Sequence, residues 1–125
     1  DLAKGISEIS DPATFTKVLI YGVISYLLPK QVSRLMQSIY EDMPNVNTIY
    51  IGNIANINYA AKFFERRKIQ NFSVDDPNSP IGVWWEPEEF CTILKQNGFS
   101  SSIVSMPPEF YGYPYRLDIV GTRNG

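Results

Sequence analysis

The residues of this chain best suited to chemistry stand in a few short strings. Trp84-Trp85-Glu86 sets two indoles beside a carboxylate, able to stack on a sugar or aromatic ring while the acid binds a hydroxyl. Core packing is the competing reading for one of the two rings, because large aromatic side chains usually bury. Lys62, Arg66, Arg67 and Lys68 place four cations within seven residues. Such a group suits a phosphate or carboxylate ligand, or simply a solvated helix face. Tyr111, Tyr113 and Tyr115 form a rim with Pro108 and Pro114, Tyr113 being the one expected to be exposed.

Other chemistries are excluded by composition. The 125 residues hold no histidine and one cysteine, so no Ser-His or Cys-His nucleophile pair and no histidine or thiolate metal cage can be built from them. Cys91 falls among helical residues and reads as a small packing residue. A net charge of −2 gives no general case for nucleic acid, and no run approaches the ~20 apolar residues of a membrane span. With 44% hydrophobic and 19% charged residues the chain reads as one globular domain, expected to bury about two-thirds of its unfolded surface. No basic leader precedes an apolar core, and a cytoplasmic enzyme or enzyme part is the expectation.

The elements that must position these residues follow from periodicity. The run 17–28, KVLIYGVISYLL, reads as a parallel strand buried on both faces, opening at Gly22 into a loop. In open α/β sheets that carboxyl end is where ligands bind. Pro29 opens a helix whose Val32, Leu35, Met36, Ile39 and Met43 share one face until Pro44-Asn45. A second strand, Thr48 to Ile51, ends at Gly52-Asn53, and the pair makes a right-handed crossover. Residues 54–83 read as an insertion at the mouth of the site, with a short helix over 58–68 and then a turn-rich, mobile loop. A helix from Pro87 buries Phe90, Ile93 and Leu94 and ends in a left-handed cap at Asn97-Gly98. Strands over 101–106 and 115–122, joined without a helix, must be antiparallel.

That order, with the strings KVLIYGVISYLLP, TIYIGNI, WWEPEEFCTILKQNGF and YRLDIVGTRN, resembles the carboxyl-terminal half of a class I S-adenosylmethionine-dependent methyltransferase. The resemblance covers nearly the whole chain and implies an α/β, Rossmann-like sheet of which residues 1–125 supply the fourth to seventh strands. It departs from the family in two places. None of the eight glycines forms a G-x-G pair, so the glycine turn and the ribose-binding acid of the first half are absent, and Thr16 stands where the family usually has Asp. The chain is therefore expected to be one piece of a larger domain, inactive alone and a poor binder of the cofactor.

The resemblance also implies roles. S-adenosylmethionine would lie with its methionine and sulfonium portion against Tyr21, Gly22 and Val23, and with its adenine near Asp1 and Leu2. Ser25 and Tyr26 would face a small-molecule acceptor, as would Trp84 and Trp85. Methyl transfer from a sulfonium needs mainly alignment. A hydroxyl acceptor would add a carboxylate base, for which Glu86 and Asp75 are candidates. The expected partner is the missing amino-terminal half, or another chain, along the edge of the first strand. Two other readings are a non-catalytic module of the same fold pairing through that edge, and half of a nicotinamide-dependent reductase.

Overall fold

A computed structural model describes residues 5, 6 and 8–125. Four strands form one sheet: β1 (Lys17–Tyr21), β2 (Thr48–Ala55), β3 (Phe99–Ser105) and β4 (Arg116–Arg123), in the spatial order β1-β2-β4-β3. β1 and β2 are parallel, Lys17 opposite Thr48 and Tyr21 opposite Gly52. β4 enters between β2 and β3 and runs antiparallel to both. The expected terminal hairpin is thus present.

The helices α1 (Pro29–Asp42), α2 (Ala60–Arg66) and α3 (Pro87–Gln96) accompany the sheet. α1 starts at a proline whose missing N–H is no loss there, and the Gln31 side chain accepts from Leu28 N at 2.8 Å. Its Val32, Leu35, Met36 and Ile39 lie three or four residues apart and bury together against the sheet. α3 has Glu88 and Glu89 in its first turn, against the positive end of the helix dipole, and ends at Gly98 with φ +91°. Phe90 and Leu94 of α3 join Ile49, Ile51, Phe99 and Ile119 in one core. Leu94 packs so closely on Gly121 that a Cβ there would lie 2.7 Å from Leu94 Cδ2. Each such aliphatic residue contributes roughly 1.5–3 kcal/mol by burial.

Two sequence expectations are corrected. β1 is not buried on both faces: Ile20 is buried, but Leu19 is 70% and Tyr21 50% exposed. The reason is that only the face bearing Ile20 meets the core, while among the described residues nothing covers Leu19 on the other. β2 does not end at Gly52-Asn53 either. Those residues form a bulge between Ile51 and Ile54, with Asn53 at φ +64°, and pairing resumes as Ile54 and Ala55 face Leu117 and Arg116.

The segment after β2 carries its own packing. Phe63 and Phe64 of α2 join Ala55, Ala60 and Trp84 in a second buried cluster. The turn-rich stretch beyond it is tied down where Trp84 N donates to Val74 O at 2.7 Å and Val83 N to Ser25 O at 2.8 Å.

Candidate functional site at the carboxyl ends of β1 and β2

Gly22 follows β1 at φ +72°, a conformation that L side chains rarely adopt, and its N–H donates to Gly52 O at 3.2 Å. This ties the two parallel strand ends together. A Cβ at Gly22 would meet nothing within 4 Å, so the backbone borders open space. A 3-10 turn, Ile24–Tyr26, carries the chain away, and the Ser25 carbonyl receives Val83 N. From the other side Trp85 N donates to Ala55 O at 2.7 Å and Ile57 N to Trp85 O at 2.9 Å. Residues 21–26, 52–57 and 82–85, distant in sequence, therefore meet at one rim.

The sequence-predicted residues distribute unevenly around it. Tyr21 and Tyr26 are exposed, Gly22, Val23 and Ser25 half-buried. Trp84 and Trp85 are each 3% exposed: Trp85 packs edge-on against Phe90, and Trp84 against Phe63, so in this structure neither indole offers a face to solvent. Glu86 caps α3, its Oε2 accepting from Glu89 N at 2.8 Å. Asp75 accepts from Ser73 Oγ at 2.9 Å within its own turn. Asp1 and Leu2 lie outside the described residues.

A polar cluster that sequence reasoning missed lies beside this rim. Asp118, 6% exposed, accepts from the Tyr50 hydroxyl and, at 2.9 Å, from Asn53 N. The bulge aims the Asn53 N–H at that carboxylate, while Arg116 Nη1 donates to Asn53 O at 3.3 Å. Donation to Asp118, helped by burial and the nearby negative charge, pushes the Tyr50 phenol up to about 12. The Tyr21 phenol is raised too, first by its hydrogen bond with Tyr111 and then by burial. Burial lowers the Arg116 guanidinium below its ordinary value.

A cavity of about 320 Å³ opens over the cluster, lined by Tyr21, Tyr50, Asn53, Met106, Phe110 and Asp118. Its walls are mostly apolar, and its polar residues are the two tyrosines, Asn53, Ser105 and Asp118, the last a carboxylate able to accept from a hydroxyl or an amine. Asp118 stands between Leu117 and Ile119 and nothing local in the sequence marks it as a site residue; the signal that could have found it is the Gly52-Asn53 pair, which bulges β2 toward it. Among the described residues no three His, Cys, Asp or Glu side chains group to hold a metal ion.

Known structures share this fold. The magnesium protoporphyrin IX methyltransferase of Synechocystis PCC 6803, solved with bound SAH, superposes at a TM-score of 0.65 over 99% of this chain, with 13% identity. A SAM-dependent methyltransferase from Archaeoglobus fulgidus does so at 0.63 over 98%, with 14% identity. The chain has the Rossmann-like α/β fold of these methyltransferases over part of their length. A small RNA methyltransferase shares the fold at a TM-score of 0.65 and 11% identity. The chain spans 49%, 65% and 15% of those three proteins. No family model and no curated protein matches the sequence. No described helix is long and apolar enough to cross a membrane.

Proposed function

We propose that this chain is the second half of a domain that transfers a methyl group from S-adenosylmethionine to a small-molecule acceptor. The observation that carries the reading is Gly22: a left-handed residue at the carboxyl end of a parallel strand, bordering open space, in a sheet whose last strand is inserted antiparallel. The fit is local but good, since the glycine leaves its backbone unscreened where a ligand would lie. Tyr21, Gly22 and Val23 would hold the methionine and sulfonium portion, and Asp1 and Leu2 the adenine side. When bound, the cofactor supplies a methyl group already activated by the sulfonium charge.

This chain's residues then orient the acceptor. Ser25 and Tyr26 border its entry, while the buried Trp84 and Trp85 shape the wall behind rather than a stacking face. Glu86 and Asp75 spend their carboxylates on local hydrogen bonds. Asp118 also accepts two hydrogen bonds, from Tyr50 and Asn53, but of the three carboxylates it is the one that lines the cavity over the cluster, which places it to take a proton from a hydroxyl or ammonium there. The outer edge of β1, unpaired among the described strands, is where the remaining strands or another chain would add.

The test is a thermal-shift panel on the full source polypeptide with S-adenosylhomocysteine and NADH. Stabilisation by S-adenosylhomocysteine alone is the expected result. Stabilisation by NADH alone would establish the reductase reading instead, and no response to either would favour a non-catalytic module.

A further inference from the structure

A second cavity, of about 220 Å³, lies between α2 and the start of β4, walled by Phe63, Arg67, Ile81, Tyr111, Tyr115 and Arg116. Two guanidiniums therefore border one small space. Arg67 is held in place: its Cζ sits 3.6 Å from the Phe63 ring centroid and its Nη1 donates to Phe63 O at 3.5 Å. Arg116 is anchored by its donation to Asn53 O. Although burial lowers its affinity for the proton, a guanidinium starts so far above neutrality that it stays charged.

Among the described residues neither arginine is paired with a carboxylate. The nearest in sequence to Arg116, Asp118, is committed to Tyr50 and Asn53. Arg67 is exposed at the cavity's edge and Arg116 partly buried within it, so an anion in this space can accept from both forks.

We propose that this cavity binds a carboxylate or phosphate monoester carried on an aromatic ring, with Arg67 and Arg116 as its cationic jaws. The ring has a place to go. A larger cavity of about 470 Å³ shares the Phe63, Arg67 and Ile81 wall, and it is lined by the stacked rings of Phe64 and Phe72, 4.2 Å apart. Of the basic residues between positions 62 and 68, Arg67 is the one that lines these two cavities, which singles it out from a merely solvated face. The inference rests on binding alone and stands whether or not the domain transfers methyl groups.

The experiment titrates the full source polypeptide with benzoate, phenyl phosphate and the neutral benzamide, following backbone amide NMR shifts at Gly112 and Ile81. Saturable binding of at least one anion is expected, with benzamide at least about tenfold weaker. Which anion binds more tightly identifies the source of the charge. Arg67→Gln should raise the dissociation constant about tenfold or more, whereas Arg66→Gln, which removes the same charge outside the cavities, should change it less than about twofold. Equal binding of benzamide, no saturation by either anion below about 10 mM, or equal losses in the two variants would overturn the proposal. The comparison of benzoate with benzamide needs no variant and decides the matter even if Arg67→Gln fails to fold.

Discussion

The Tyr50 hydroxyl donates to the buried Asp118 carboxylate, a contact between residues 68 positions apart that joins β2 to β4 at the bulge. A carboxylate this buried is tolerable only because it accepts from both a phenol and a backbone N–H. Tyr50→Phe removes one of those donors and should cost about 1–3 kcal/mol near neutral pH, measured by urea denaturation.

The same contact sets a pH dependence. The folded-state pKa of Tyr50 stands at about 12, above its ordinary value of 10.0. A raised pKa means that the contact's stabilisation is complete below about pH 10 and is lost as pH rises towards about 12. Stability should fall over that window, and fall less in Tyr50→Phe. An equal decline in both proteins would show that other phenols carry the effect, among them Tyr21, whose shift has the same sign.

Two glycines with positive φ should respond differently to alanine. At Gly22 a Cβ meets open space, so Gly22→Ala carries only the conformational cost, roughly 1 kcal/mol. At Gly82, φ +87°, the new Cβ would collide with the Ser25 carbonyl. Gly82→Ala should therefore cost at least about 2 kcal/mol and loosen the 82–85 segment from the rim, visible as faster hydrogen exchange at Val83 N.

Arg123 closes the other end of the sheet onto α1. Its guanidinium donates to Met43 O at 2.9 Å, Tyr40 O at 3.1 Å and Val46 O at 2.6 Å, and lies 4.4 Å from the Tyr40 ring centroid. It thus brings donors and a positive charge to the carboxyl terminus of α1, where Tyr40 O belongs to the last turn and Met43 is the cap. Arg123→Gln should destabilise by about 2 kcal/mol in urea denaturation, and Arg123→Lys by nearly as much, because one ammonium cannot replace the planar fork.

The 125 residues alone should bind S-adenosylmethionine no more tightly than about 1 mM in calorimetry. The reason is the glycine pattern, which provides no G-x-G turn to bring paired amides to a ligand. Micromolar affinity would mean that the Tyr21–Val23 backbone suffices as the cofactor site.

Elements whose signals are local were legible in the sequence. The α1 face, the proline starts of α1 and α3 and the Gly98 cap each depend on spacings within a few residues, and each is where the periodicity put it. The antiparallel ending followed from a connection lacking a helix. Burial of β1 is not legible because a run of apolar residues does not say whether anything packs on the strand's second face. Gly52-Asn53 was misjudged because turn residues end a strand or bulge it with the same composition.

Residue order by itself determined the succession of strands and helices and the glycine at the end of β1, since hydrophobic period and backbone permissiveness are properties of neighbours in the chain. Tertiary structure alone decided that Asp118 meets Tyr50 and Asn53, that both tryptophans turn inward, and that Arg67 and Arg116 border one cavity. Those relationships join positions dozens of residues apart, and such contacts exist only once the sheet has paired and its side chains have packed.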